Sequence, residues 1–438
     1  MGERCGVFGM LVVTANWAID DGSLWRRPLR GLLPRAWGSL QRAALRAGFR
    51  RDGRYEPVER IDMVFAGDTF DLLGSRHWAD REQRPWHRST AAASIRRQVA
   101  TAAIRRAAGL TRLARQLLAE GLAVPAATPQ GRPHLRLPVS VPVSITLLTG
   151  DRDGWLVPTR NWPAGLHWAD SWSDDRWQVE HGQRFDPLQG SGSGQPDEPP
   201  SLVQSLAVGL VARFATAAEA SLSAPTGPLR LLADSHPLDL ADTFWHQLLP
   251  RVAAGSIDLA DRLADRWKQC VAAWRQEAVC EQVDVAADFD FIGRLATVLG
   301  TPGEPGRASG LLADLCGPSA SHRQANMTAP PTAGLILGHL DEAVATAAWS
   351  PLTCRCLGLP PITPANGLVP GETVGVSLVN PASRPLSTHQ PRALMAVETD
   401  CGDHLEMLDL AAGSPAVVWR PDRSLAAGPS TARRNEAA

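Results

Sequence analysis

The run Val64-Phe65-Ala66-Gly67-Asp68-Thr69-Phe70-Asp71-Leu72-Leu73 constrains the fold more than any other stretch of the chain. A short apolar strand passes straight into a Gly-Asp turn, a second Asp follows three residues later, and the chain then becomes apolar again. A strand that delivers a carboxylate from its carboxyl end is the usual geometry of a ligand or catalytic site in an open α/β sheet. Gly67 permits the sharp turn that lifts Asp68 off the sheet and into a cleft. Alone the pattern is common, because many aspartates after apolar runs only form turns or cap helices. Its weight comes from the strands around it.

Gly6 to Thr14 (GVFGMLVVT) is a near-continuous apolar run of the kind buried on both faces, and it ends at Ala15-Asn16-Trp17. Arg26 to Phe49 predicts a helix leading to the strand Ile61 to Ala66. Ser89 to Glu120 predicts another, with Ser89 or Thr90 as cap and a break near Gly109. Val139 to Thr149 reads as a strand ending in Gly150-Asp151-Arg152-Asp153, and Arg176 to Glu180 as one ending in His181-Gly182. Ala333 to Gly338 delivers His339-Leu340-Asp341, and Thr373 to Val379, Ala393 to Glu398 and His404 to Leu410 read as an antiparallel meander. From Ser201 to about Gly300 a helical pattern interrupts the strand rhythm. The expected organisation is one α/β domain in two parts, 1–200 and 326–415, split by a helical insertion or cap at 201–325 and followed by a disordered tail at 416–438.

With 44% hydrophobic and 20% charged residues the chain can bury a sizeable core, and its formal net charge of −1 gives no electrostatic case for nucleic acid or an anionic membrane. Seven cysteines form no disulfide framework, and Cys354-Arg355-Cys356 lacks a second pair at zinc-site spacing. Reduced thiols and a cytoplasmic location are the expectation. The apolar run from Cys5 to Ile19 reads as a core strand, not a signal peptide, because Glu3 sits before it and no cleavage site follows. Leu202 to Leu222 is interrupted by Gln204, Arg213 and Glu219, so no membrane span is expected.

Asp68, Asp151, His181 and His339 thus stand in this order at four strand ends. The order and spacing resemble the calcineurin-like metallophosphoesterases, whose motifs run Asp-x-His, Gly-Asp-x-x-Asp, Gly-Asn-His-Asp, a His-Gly segment and Gly-His-x-His, each at a strand end. The resemblance spans roughly Gly6 to Leu410 and is most specific at Gly67-Asp68-Thr69-Phe70-Asp71 and in the run Glu180 to Pro187. Gly150-Asp151-Arg152-Asp153 is similar to the Gly-Asn-Arg-Asp variant of the lipid A branch, which hydrolyses UDP-2,3-diacylglucosamine. The resemblance implies a four-layer αββα sandwich with a helical insertion. It also implies a site in which two divalent metals clamp a phosphoester and its attacking hydroxide.

The chain departs from that pattern at the first metal. The segment Ala15-Asn16-Trp17 stands where Asp-x-His is expected, so a carboxylate is replaced by a methyl group and an imidazole by an indole. Trp17 cannot ligate, and its bulk is expected to fill the vacated space. Only Asp68 and Asp341 remain for that site, too few for tight binding. The second site keeps four residues able to ligate, Asp68, Asp151, His181 and His339, a set suited to one Zn²⁺, Mn²⁺ or Fe²⁺ ion. Clustered carboxylates repel, and a bound metal or an inward-folded Arg152 is the natural compensation. Arg152 either holds a substrate phosphate, with Arg184 nearby, or pairs with Asp151 or Asp153. Asp71 and Asp153 are expected to brace loops, and the tryptophans Trp162, Trp168, Trp172 and Trp177 to pack.

The reading that follows is a metallophosphoesterase-like protein, hydrolase by ancestry, with one metal site lost and at most one divalent metal retained. Its expected ligand is a small phosphorylated molecule, with catalysis weakened or absent. Two alternatives stand beside it: an active single-metal phosphoesterase, and a scaffold that binds a protein partner through the helical insertion.

Overall fold

The computed structural model describes residues 9–24, 32–50, 52–156, 162–174, 177–183, 198–222, 226–233, 235, 239–283, 289–304, 334–337, 392–399, 402–409 and 415–419. Strands β1 (Gly9–Thr14) and β2 (Arg60–Phe65) pair in parallel, with helix α1 (Leu32–Ala47) between them in the chain. Helices α2 (Thr90–Arg106) and α3 (Ala108–Glu120) follow, and then a hairpin of β3 (Leu122–Ala127) and β4 (Pro133–Val141). β5 (Val143–Leu148) lies parallel to β2, and β6 (Leu166–Ala169) parallel to β5. A second sheet is built from β7 (Ser171–Ser173), β8 (Trp177–Glu180) and β9 (Gly334–Leu337). β10 (Arg392–Thr399), β11 (Gly402–Asp409) and β12 (Pro415–Trp419) extend the first sheet as an antiparallel meander, giving the order β12-β11-β10-β1-β2-β5-β6.

The central strands are apolar at successive positions because both faces are covered. Met10, Val12, Met63, Phe65, Ile145 and Leu147 face a core shared with α1, α2 and α3. Leu11, Val13, Val64, Ala66 and Leu148 face the opposite way, against Trp177 and Val179 of β8. Helices, seven-stranded sheet and three-stranded sheet are therefore three successive layers of a mixed α/β fold, and each large side chain buried between them contributes roughly 1.5–3 kcal/mol.

Several boundaries differ from the sequence expectation. The run Val139 to Thr149 divides at Pro142, whose nitrogen has no hydrogen for a ladder bond. Residues up to Val141 end the hairpin, and residues from Val143 enter the main sheet. The break between α2 and α3 falls at Ala107 rather than Gly109. β12 pairs with β11 inside the segment expected to be tail from residue 416. Thr373 to Val379 lies outside the described residues.

Most of the described residues between Leu202 and Gly300 are helical. α4 (Leu202–Ser205), a π-helical stretch at Leu206–Ala212 and α5 (Arg213–Leu222) run on without a gap. Leu202–Ala220 is long and apolar enough to cross a membrane, contrary to expectation, yet 72% of that window is buried inside the protein, as in a core helix. α6 (Thr226–Ala233), α7 (Leu240–Asp242), a second π-helical stretch at Thr243–Leu248, α8 (Leu249–Ala253), α9 (Ile257–Cys280) and α10 (Phe289–Gly300) complete the unit. Phe244 stacks on Trp267 with centroids 4.3 Å apart, and Phe214 meets the same ring edge-on at 5.1 Å. Cys270 and Cys280, the cysteines among the described residues, are free.

Candidate metal centre

Beyond β2 the backbone turns through Gly67 (φ +85°) and Asp68 (φ +49°), both left-handed. A parallel segment after β1 clamps this turn: Asn16 N donates to Gly67 O (3.2 Å), Ala18 N to Asp68 O (2.9 Å) and Ile19 N to Thr69 O (3.0 Å). Asn16 (φ +52°) and Ala18 (φ +46°) are left-handed too. Non-glycine residues held there carry strain of about 1–3 kcal/mol each. The Ala15 to Ile19 segment thus serves as a backbone clamp on the Asp68 turn.

Trp17 is placed by its own contacts. Its indole N–H donates to Thr14 Oγ1 at 2.8 Å and its ring packs on Phe65 with centroids 5.6 Å apart, in the helix-side core. Asp20 and Asp21 do not join the cluster either. Asp20 pairs with Arg106 (3.2 Å) and accepts from Gly22 N (2.8 Å), while Asp21 accepts from Ser75 Oγ (2.6 Å).

β5 runs into Gly150-Asp151-Arg152-Asp153. Asp153 braces this loop as expected, accepting from Gly150 N at 2.8 Å and from Phe70 N at 3.1 Å. Asp71 accepts from Gly74 N at 3.0 Å. The two strand-end loops touch so closely that a Cβ on Gly150 would lie 2.1 Å from Asp68 Oδ1, and Arg152 N donates to that same oxygen at 2.9 Å.

β8 delivers His181, which is 1% exposed. Its Nδ1 lies 2.9 Å from Ala66 O, an atom that only accepts, so Nδ1 carries the proton. Nε2 then faces Asp151 Oδ1 at 2.8 Å and Asp68 Oδ2 at 3.5 Å. Ligand atoms of Asp68, Asp151 and His181 all lie within 4.8 Å of one another, and all three residues are buried. Ligands held 2.0–2.2 Å from one ion sit roughly 3–3.5 Å apart, so the donor set and its spacing fit a divalent metal. The backbone carbonyl on Nδ1 is the partner that usually fixes a ligating imidazole.

The charges point the same way. Burial first, and then the neighbouring Asp151, push the Asp68 carboxyl up to about 8, against smaller opposing effects of His181 and Arg152. Burial likewise lifts Asp153 to about 6, although its two backbone hydrogen bonds oppose this. Arg152 folds inward, with Nη1 3.3 Å from Asp71 Oδ2 and Nε 3.8 Å from Asp68 Oδ2. Its guanidinium thus faces both Asp68 and Asp71.

A pH dependence follows. In the unfolded chain Asp68 ionises near pH 4, whereas the folded, metal-free protein keeps the proton up to about pH 8. Across that window the folded state binds more protons, so its stability falls as pH rises, by at most about 1.4 kcal/mol per pH unit. Melting temperatures in a chelating buffer are expected to drop between pH 5 and 8 more steeply for the parent than for Asp68→Asn. Equal slopes would show that Asp68 does not carry the effect.

Sequence reasoning missed Gln204. Its Nε2 donates to Asp151 O at 3.2 Å, which ties the first turn of the helical unit to the cluster. The signal was present as a capping box, Ser201 with Gln204 three residues on, and both of its hydrogen bonds form. His339, Asp341 and Arg184 lie outside the described residues. Trp162 and Trp168 meet edge-on at 5.7 Å, Trp177 is buried between the sheets and Trp172 lies against that core. No protein-family model, curated protein or solved structure matches this chain.

Proposed function

We propose that this chain is a metallophosphoesterase-like protein that holds one divalent metal, with phosphoester-hydrolase ancestry and weakened or absent catalysis. The observation that carries the reading is the convergence of Asp68, Asp151 and His181, from three separate strand ends, into a buried cluster. Two carboxylates and an imidazole packed this tightly are best explained by a cation between them. His339 is the proposed fourth ligand. The proposed architecture is the four-layer αββα sandwich, and the stacking of helices, main sheet and second sheet supports it.

A metal held there supplies Lewis-acid chemistry toward a phosphoryl oxygen. The protein's own part is to orient the ligands. Ala66 O holds the imidazole, the Gly150 turn holds Asp68 against Asp151, and Asp153 ties the two loops together. Arg152 borders a small cleft shared with Asp71, Leu232 and Ala233, and in this reading an anionic ligand end would have to draw its guanidinium from Asp71. Catalysis is weak in this reading because Ala15 and Trp17 offer no ligands for a second ion.

The test is elemental analysis after reconstitution with Mn²⁺ or Zn²⁺. One equivalent per chain is expected in the parent, with His181→Ala at least 100-fold weaker in metal affinity. No metal in the parent sinks the proposal, and two equivalents would show that the first half-site is intact. Turnover of aryl phosphates that disappears in Asp68→Ala would establish the active single-metal enzyme in place of the weakened one.

A further inference from the structure

Gln204 does more than cap the first helix of the inserted unit. The residue is buried, and both ends of its side-chain amide are engaged. Ser201 N, which can only donate, lies 3.1 Å from Oε1, while Nε2 donates to Asp151 O at 3.2 Å. A capping box accepts either Glu or Gln at this position, because it needs only the oxygen. The contact to Asp151 needs an N–H, which an ionised Glu lacks. Gln in place of Glu is therefore explained by Asp151 and not by the helix.

Asp151 O belongs to the peptide unit that joins Asp151 to Arg152, and the N–H of that same unit donates to Asp68 Oδ1 at 2.9 Å. A trans peptide is planar, so fixing the direction of its C=O fixes that of its N–H. Gln204 thus grips a rigid plate whose far edge holds the Asp68 carboxylate. The residue at the near edge carries the Asp151 carboxylate, 2.8 Å from His181 Nε2. Two of the three clustered side chains are therefore tied to one peptide group. Arg152 reaches the helical unit as well, with Nη1 3.4 Å from Ala233 O at the end of α6.

We propose that, on the one-metal reading of Asp68, Asp151 and His181, Gln204 is a positioning residue for the metal centre, through which the seating of the helical unit sets metal affinity. With the first turn of α4 in place, the Asp151–Arg152 peptide is held and both carboxylates keep their direction. When that turn lifts, the peptide is free to rotate and the cluster loosens.

Two variants of the full chain separate positioning from capping. Gln204→Met keeps the length of the side chain and ends both of its amide bonds. Ser201→Ala removes the hydroxyl that accepts from Gln204 N and leaves both ends of the Gln204 amide bonded. Similar falls in melting temperature are expected for the two, whereas only Gln204→Met is expected to weaken Mn²⁺ or Zn²⁺ binding, by about tenfold. The second readout needs no metal. In a chelating buffer, hydrogen exchange at the Arg152 amide, followed by mass spectrometry of fragments spanning Gly150 to Asp153, is expected to be about tenfold faster in Gln204→Met and unchanged in Ser201→Ala. Gln204→Glu, which keeps the capping acceptor and loses only the donor, replaces Gln204→Met in the exchange experiment should the latter not fold. Unchanged Arg152 exchange in a folded Gln204 variant overturns the proposal, and so does an equal loss of metal affinity in Ser201→Ala. A parent that binds no metal sinks the one-metal reading and this role with it, whereas unchanged metal affinity in folded Gln204→Met overturns the role alone.

Discussion

Glu277→Ala is expected to lower the melting temperature by about 3–5 °C, the shift corresponding to roughly 3 kcal/mol in a chain of this size. Glu277, on α9, is 6% exposed and receives Arg84 Nη2 at 2.6 Å, while Arg213 Nη2 meets its other oxygen. Arg84 is completely buried and also donates to Trp78 O. Burial holds its pKa below the usual arginine range, and Glu277 is the largest influence opposing that. Removing the carboxylate leaves an interior guanidinium without its hydrogen-bonded countercharge, with only the weaker influence of Glu281 remaining, which destabilises more than the intact pair ever stabilised. Arg81, 3.9 Å away and mostly exposed, adds little. Because Arg84 lies in the loop after β2 and Glu277 in the helical unit, the loss should also loosen that unit from the α/β layers. Faster proteolysis between the two is the local readout. Glu277→Gln, which keeps the shape and one acceptor, should fall between parent and Ala. A drop under 2 °C for Glu277→Ala would mean that water reaches Arg84 and the pair is not sealed.

Asp68, Asp151 and His181 were legible in the sequence because each follows a strand by one to three residues, and strands announce themselves by short apolar runs with a glycine close behind. Their convergence follows from the parallel pairing of β2 with β5 and from β8 lying over the same sheet edge. What the sequence hid is of a different kind. Arg84 and Glu277 are 193 residues apart, and no local period links two such positions. The inward turn of Arg152 toward Asp71 depends on which of several nearby carboxylates a loop presents. Pro142 sits in a run whose β-branched residues continue on both sides, so strand-like composition alone merges the end of β4 with the start of β5. The left-handed conformation of Asn16 and Ala18, part of the clamp on the Asp68 turn, is also hidden. Backbone conformation of that sort is not written in residue type for alanine.

Gly67→Ala is expected to disable the cluster, and Gly53→Ala separates the two reasons why. Both glycines are left-handed, Gly67 at φ +85° and Gly53 at φ +81°, so an added methyl group brings nearly equal backbone strain, about 1–2 kcal/mol. Their surroundings are opposite. A Cβ on Gly53 meets nothing within 4 Å, whereas one on Gly67 would lie 2.2 Å from His181 Nδ1 and 2.6 Å from its Cβ. The imidazole cannot step aside while Nδ1 holds Ala66 O at 2.9 Å and Nε2 holds Asp151 at 2.8 Å. Either those bonds break or the Asp68 turn opens against its clamp from Asn16 and Ala18. Gly67→Ala should therefore cost at least 2 kcal/mol more than Gly53→Ala, in line with other overpacked cores, and weaken divalent-metal binding by more than tenfold. Gly53→Ala should leave metal binding untouched. Equal melting temperatures for the two variants would place His181 away from Gly67 and dismantle the geometry on which the metal centre rests.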